Sequence, residues 1–528
     1  MKAELSSRRV HQLSIVLIGT ISVWLARHIY YAVKTGSLQY VYENWVLLFS
    51  FVMLCITLLL AYREKPKAAP LSATASEYVT AVVPAYNEDP EVLRGCLRSL
   101  LTQTRPFQEI CVTDDGSNRA DYTELKQWAE AFGSLQNVTV RWHRQPNKGK
   151  REAQSVWFRN SPDTTIFVTV DSDSIMDSKA LEELLKPFAD PDVQSAAGVV
   201  LALNNRTNLL ARITDLLFVT GQLTDRSMMS SMNSVLVNSG GLAAYRAQNI
   251  RDNLDAYLHE SFFGHHITFS DDSMLTLYSL NNGKTVQQPT AFVFAMMPDK
   301  FSHHYRQQLR WMKGSFIRSW WRIKYLPVNS FAFFRQVVGW SQFVITTMLL
   351  TLFFIIKPVT AHTFSPYLIL VPFMLGYVQA LRYFAVQRSD ESKGSQLATF
   401  ALAPLAILWS YFIIRPIRIY AAFTCFKGQW GTRQNVEVSL DGATRRSWRA
   451  ALADPFVFET YYERLARRIA AEAADQAEAE RRWLHRYGAL PVRKQRKIWS
   501  GYERVVKRSI DQAEGTNWHV LHVPLTVG

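Results

Sequence analysis

Cysteine is scarce in this chain. The 528 residues hold four, Cys55, Cys96, Cys111 and Cys425, scattered and without a CxxC pair. That argues against a disulfide framework and against a cysteine-ligated zinc site. Free, buried thiols in a reducing compartment are the expectation. Acidic residues are also outnumbered, 44 against 59 Lys and Arg, for a formal net charge of +15. Such a surplus suits nucleic acid, an anionic membrane surface or an anionic substrate. Residues 301–325 have no acid at all. They hold Arg306, Arg310, Lys313, Arg318, Arg322 and Lys324, with Trp311, Trp320 and Trp321 among them. A cationic helix with interleaved tryptophans suits a bilayer surface. The charge therefore points to lipid, and nucleic acid is not an expected partner.

Apolar residues are plentiful, at 48% of the chain, and are concentrated on either side of a more ordinary middle. The runs 12–33 and 44–62 have about the ~20 residues a spanning helix needs. No small-residue cleavage site stands out, so residues 1–65 are expected to form an uncleaved transmembrane hairpin. Arg8 and Arg9 precede it; Arg63, Lys65 and Lys67 follow it. The positive-inside rule then places both ends in the cytosol. Residues 66–77 read as a Pro/Ala/Ser linker. Across 78–300 short β-like runs alternate with helical stretches: Val79–Pro84, Glu109–Thr113, Val138–His143 and Ile166–Asp171. This is the rhythm of an α/β domain with a mostly parallel sheet, whose sites lie at the carboxyl ends of strands. Residues 301–330 are expected to be amphipathic interface helices, and 331–390 two transmembrane helices. The run 397–425 contains Pro404, Arg415, Pro416 and Arg418, which make a poor spanning helix. Residues 391–426 are therefore read as re-entrant or interfacial. A loop at 427–436 and a helical cytosolic tail at 437–528 complete the chain.

Three strands lead into chemically loaded loops. The run Val168–Ser174 carries Asp171-Ser172-Asp173. Alone, two carboxylates at i and i+2 are more often a turn or a helix cap. At a strand end they can also present oxygens to a hard cation, Mg2+ or Mn2+, which neutralises charge on a diphosphate leaving group. Asp114-Asp115-Gly116-Ser117 ends an earlier strand, where a carboxylate can accept from a base N–H or a ribose hydroxyl. Asn147-Lys148-Gly149-Lys150-Arg151 puts three cations on a Gly-containing loop fit for a pyrophosphate. Asp271 and Asp272 are adjacent, so one should have a raised pKa and suit a general base; capping by Ser270 or an Asp is the plainer reading. Gln307, Arg310 and Trp311 share one helix face. Trp430-Gly431-Thr432-Arg433 suits a lid.

Taken together and in this order, YNE, DDGS, NKGKR, DSD, SGGLAAYR (239–246), SDD and QQLRW resemble the processive family 2 glycosyltransferases. These include cellulose, chitin and hyaluronan synthases and the chitin-oligosaccharide synthases of nodulation. Pro298-Asp299-Lys300 before QQLRW, SGGLAAYR and the Trp-Gly-Thr-Arg loop are most similar to hyaluronan synthases. The resemblance implies a GT-A-type domain between membrane helices of the plasma or inner membrane, with UDP-sugars and a growing polysaccharide as partners. It implies that Tyr86, Glu88 and Asp115 contact uridine and that Lys150 and Arg151 lie near the diphosphate. Asp173 is then the principal metal ligand, Asp171 holds the sugar nucleotide and Asp272 is the base beside Asp271. Gln307, Arg310 and Trp311 form the acceptor wall, and Trp430 and Arg433 close the gate. Ser270-Asp271-Asp272-Ser273 departs from Gly-Asp-Asp-Arg, and Gly240-Gly241 from Gly-Pro. A chitin-oligosaccharide or other β-linked polysaccharide synthase, a non-processive lipid-linked transferase and a silent partner subunit remain alternatives. Oligomeric state is not legible.

Overall fold

A computed structural model describes residues 38–426, apart from 363–366 and 389–390, together with scattered residues between 3 and 35. The expected gate and tail at 427–528, with Trp430 and Arg433, lie outside the described residues, as does most of the first apolar run.

An eight-stranded mixed sheet forms the centre. Its strands are β1 (Val79–Ala85), β2 (Glu109–Asp114), β3 (Thr139–Arg144), β4 (Ile166–Thr169), β5 (Ser174–Met176), β6 (Val193–Ala202), β7 (Ala243–Arg246) and β8 (Lys284–Ala295). In space the order is β3-β2-β1-β4-β7-β6-β8-β5. The first four are parallel, as the β/α rhythm predicts. β6 and β8 also pair parallel, so six of the eight strands run in one direction and the mostly parallel expectation holds, with two exceptions beyond β4. There β7 inserts antiparallel between β4 and β6, and β5 pairs antiparallel with β8. β1 and β2 are buried on both faces at every position but Pro84 and Glu109, which follows from helices covering both sides of a parallel sheet. One core cluster packs Val79, Ala81 and Val83 against Leu93, Leu97 and Leu100 of a flanking helix. A second packs Val82 and Phe167 against Trp157 and Phe158. The three buried cysteines, Cys96, Cys111 and Cys425, and the half-buried Cys55 are free thiols, as expected.

The helices that matter for the site are α1 (Lys150–Asn160), α2 (Leu209–Gly221), α3 (Asp271–Asn282) and α4 (Phe301–Tyr325). Among the described residues, two helices have the length and apolar composition to cross a bilayer: α5 (Phe331–Thr360, 30 residues) and α6 (Ala403–Thr424, 22 residues). The second of the two helices expected within 331–390 falls on a fourteen-residue helix, Tyr367–Ala380, followed by a 3-10 turn and a short strand, Val386–Arg388. That strand pairs with Ala3–Leu5. α6 lies along α4: Trp409 contacts Phe301 and His304, and Cys425 packs with Phe269 and Ile317. Arg415 of α6 donates to Phe343 O, Thr346 Oγ1 and Thr347 Oγ1 of α5 at 2.6–3.1 Å.

The linker is docked rather than free. Lys67 N donates to Gln288 Oε1 at 2.9 Å, and Arg105 donates to Thr74 O and Glu77 O. On the other flank, Asp215 of α2 is fully buried. It accepts from Ala202 N at 2.9 Å and Tyr383 Oη at 2.7 Å, and pairs with Arg388 at 3.2 Å. Residues 381–388 are thereby pinned to the central sheet.

Candidate active site

The carboxyl ends of β1, β2 and β4 open into one cavity of about 450 Å3. Its lining includes Tyr86, Asp115, Lys150, Asp171, Asp173, Asp271, Asp272, Gln307, Arg310 and Trp311. Residues 225 apart in sequence thus share one wall, because parallel strands deliver their following loops to the same edge.

The loops hold one another. Asn87 takes a left-handed φ of 48°, which Asn tolerates well. Its Oδ1 accepts from Asn118 N and Arg119 N at 3.0 and 3.1 Å, and its N–H donates to Ser117 Oγ at 2.9 Å. Tyr86 is presented from this clasp. Asp115 accepts from Gln145 Nε2 at 2.7 Å, Lys148 N at 3.0 Å and Gly149 N at 2.8 Å. Its carboxylate therefore shapes the Asn147–Lys150 loop at the cavity edge. Gly116 makes this possible: φ is +78°, and a Cβ there would stand 2.7 Å from Asn147 N. A Gly116→Ala variant should lose about 1–3 kcal/mol of stability and bind UDP more weakly. Calorimetry and UDP titration check this; an unaltered protein in both would refute it.

Charge is concentrated opposite. Lys150 Nζ lies 2.9 Å from Asp171 Oδ1 and 3.1 Å from Asp271 Oδ2. Burial alone would lower the Lys150 pKa, but the surrounding Asp171, Asp271 and Asp272 carboxylates hold it raised. Burial would likewise raise Asp271, yet Lys150, with Arg151 behind it, holds that carboxyl below its ordinary range. Asp272 is the odd member. Burial, then the charge of Asp271, pushes it up to about 6. Its oxygens accept from Gly240 N at 3.1 Å and Ser273 N at 2.7 Å. Ser270 stands at the start of α3 but makes no side-chain cap. Gly240 comes so close that a Cβ would sit 3.3 Å from Lys150 Nζ.

Two expected contacts are not in the cavity. Glu88 is buried behind the Asp171–Asp173 turn, where it accepts from Ser172 Oγ at 2.8 Å. Arg151 points away: its guanidinium is buried, pairs with Glu260 at 2.8 Å and donates to Phe269 O and Tyr257 O. The reason is helical periodicity. Lys150 and Arg151 open α1, where successive side chains diverge by about 100°. If one faces the cavity, the other faces the core. Ser172 and Arg322 also line the cavity, although the sequence reading named them only as members of the Asp171–Asp173 run and of the cationic helix and gave neither a role in the site.

The shared helix face of Gln307, Arg310 and Trp311 in α4 is turned to the cavity, and Trp311 packs against Phe218 of α2 at 5.4 Å.

Among the described residues, no three His, Cys, Asp or Glu side chains converge on one point. The donor set nonetheless fits a divalent cation. Mg2+ is commonly held by one or two carboxylates and completed by substrate phosphates and water, and Asp171 and Asp173 both line the cavity. Their field is felt beneath: burial first, then Asp173 and Asp171, push the Cys96 thiol well up.

Residues 80–254 match the model of the family described as Glycosyl transferase family 2. The chain is 34% identical over 373 residues to a hyaluronan synthase of Streptococcus pyogenes serotype M3, covering 70% of this chain and 86% of that protein. It is 28% identical over 379 residues to an N-acetylglucosaminyltransferase of Rhizobium leguminosarum bv. viciae, with the same two shares. Among solved structures, a mannosyltransferase of Pyrobaculum calidifontis in complex with GDP-Man and Mn2+ aligns at TM-score 0.43 and 19% identity. That alignment covers 70% of this chain and 94% of the other, and it is too slight to bear on the reaction. The sheet, the cavity and the extent of the synthase match lead to one conclusion: the chain belongs to the family 2 glycosyltransferases, in the processive group that includes hyaluronan synthase, and is a glycosyltransferase.

Proposed function

We propose that this enzyme is a membrane-integrated, inverting, processive transferase that polymerises UDP-GlcNAc and UDP-GlcA and passes the product out between its own helices. The observation that carries the reading is the single cavity in which the Asp171–Asp173 turn, Asp272 and the Gln307/Arg310/Trp311 face meet. Nucleotide, base and acceptor wall then lie within reach of one sugar.

In this reaction Asp272 takes the proton of an acceptor hydroxyl. The hydroxyl oxygen bonds to the anomeric carbon while the bond from that carbon to the diphosphate breaks. UDP departs with the electron pair from the opposite face, so the configuration inverts. Tyr86 and the Asp115 loop hold the uridine end, and Lys150 stands by the diphosphate with Asp171. Asp173 would hold Mg2+ or Mn2+, which when bound supplies positive charge to the departing diphosphate. Gln307, Arg310 and Trp311 orient the acceptor, with Trp311 offering a face for a sugar ring. The bilayer reading rests on α5, α6 and the acid-free α4, with the catalytic domain on the cytosolic side of the plasma or inner membrane.

A single-sugar polymer is the second reading. The rhizobial relative is named for N-acetylglucosamine transfer, and Ser273 stands where hyaluronan synthases commonly carry Arg. Membranes containing the enzyme, incubated with each UDP-sugar alone and in pairs, decide between them. Polymer and UDP release should require UDP-GlcNAc and UDP-GlcA together. Polymer from UDP-GlcNAc alone would replace the first reading by the second.

A further inference from the structure

Behind the cavity lies a buried ion cluster that the reaction above does not use. Glu260, 6% exposed, sits just before the Ser261–Phe262/His265–His266 hairpin. Its carboxylate takes four contacts from three side chains. Arg318 grips both oxygens, with Nη2 to Oε2 at 2.6 Å and Nη1 to Oε1. Arg151 Nη2 lies 2.8 Å from Oε2, and Trp321 Nε1 donates to Oε1 at 2.9 Å. Arg318 is fully buried and Arg151 nearly so.

Both arginines also reach Phe269 O, Arg151 at 2.7 Å and Arg318 at 3.4 Å. Phe269 is two residues before Asp271. Between them Ser270 is held at a left-handed φ of 61°, a conformation that a non-glycine residue keeps only when its surroundings enforce it. The enforcing contact is α4. Gly314 lies so close to Ser270 that any Cβ at 314 would overlap its hydroxyl.

The spacing along α4 completes the argument. Gln307, Trp311, Gly314, Arg318 and Trp321 follow one another at intervals of four and three, so they form one stripe of the helix. Its upper part is the acceptor wall. Its middle touches Ser270. Its lower part grips Glu260. A helix is stiff over this length, so the grip at one end sets the position of the wall at the other.

We propose that Glu260 is a positioning residue which, through Arg318, Trp321 and Arg151, fixes the distance between the acceptor wall of α4 and the loop that carries Asp272. This rests on the reading of Asp272 as the base. Glu260 does not line the cavity. It acts by holding the acceptor hydroxyl and the carboxylate in register, where a displacement of about 1 Å costs about 100-fold in rate.

The test uses the full-length enzyme in lipid nanodiscs, with UDP release from UDP-GlcNAc, alone and with UDP-GlcA, and separate titration of UDP. Glu260→Ala should lower kcat by about 10- to 100-fold while KM and UDP affinity stay within about twofold. Glu260→Gln keeps an acceptor oxygen for Arg318 and Trp321 and should recover most of the rate. Wild-type kcat in folded Glu260→Ala, or UDP affinity falling together with kcat, would overturn the proposal. If Glu260→Ala does not fold, Arg318→Lys keeps the charge but loses the two-pronged grip, and the same readouts decide. Asp272→Asn measured alongside separates the two ideas: transfer retained there defeats the base assignment and the proposal with it, whereas an inactive Asp272→Asn beside wild-type kcat in Glu260→Ala defeats the proposal alone.

Discussion

Asp272→Asn is expected to abolish glycosyl transfer while UDP still binds with wild-type affinity. The substitution keeps the size, but Gly240 N and Ser273 N donate to different oxygens of Asp272, so the amide of Asn keeps an acceptor for only one of them. What it removes is the lone pair that takes the proton. General-base catalysis commonly contributes about 100- to 10,000-fold, and loss of that order would leave no measurable polymer. The pH profile offers an independent check on the same group. A carboxyl pushed up to about 6 is the active base only when deprotonated. The rate constant kcat/KM should thus be level above that pH and fall about tenfold per unit below it. The cause is local: burial raises Asp272, and Asp271 adds to it because Lys150 keeps Asp271 ionised. Polymer made by Asp272→Asn, or an acid limb displaced to the ordinary carboxylate range near pH 4, would remove Asp272 from this role.

The second large effect is expected at Asp173→Ala. Wild-type enzyme should bind UDP more tightly with Mn2+ or Mg2+ than with EDTA, and the variant should lose that difference along with turnover. Asp171 is a poor replacement. Its Oδ1 is engaged by Lys150 at 2.9 Å, and moving it would strip Lys150 of a partner in a buried site. Titration of UDP with and without metal reads the effect directly. Unchanged metal-dependent binding in Asp173→Ala would refute the ligand assignment.

Strand ends were the legible part of this molecule. Tyr86, Asp115, Asp171 and Asp173 follow apolar runs, and in a parallel sheet such positions share an edge whatever lies between them. Gln307, Arg310 and Trp311 were legible for a different reason, because helical spacing places them on one face. Neither rule reaches Arg151. It follows Lys150 in a cationic run, but the chain turns helical at that point and sends the two side chains apart. Glu88 was hidden for another reason: alternation would put it on the same side as Tyr86, but the left-handed Asn87 between them breaks the alternation, and Glu88 turns inward to Ser172. Glu260 had no signal at all. Its partners Arg151, Arg318 and Trp321 are 109, 58 and 61 residues away, and only the packed fold brings a carboxylate, two guanidiniums and an indole together. The antiparallel entry of β7 was equally hidden, since a four-residue strand carries no mark of its direction.

The buried knot at Asp215 bears on where this enzyme ends as a unit. Tyr383 and Arg388 reach Asp215 from a segment that follows α5, beyond the last strand of the sheet. Cutting the chain after residue 300 would leave that carboxylate inside the protein with no cation beside it, a costly vacancy in a dry interior. The catalytic half is therefore no interchangeable cartridge. Any transplant of it onto another membrane scaffold has to bring residues 381–388 along, and its descendants can trade membrane segments only by keeping that plug.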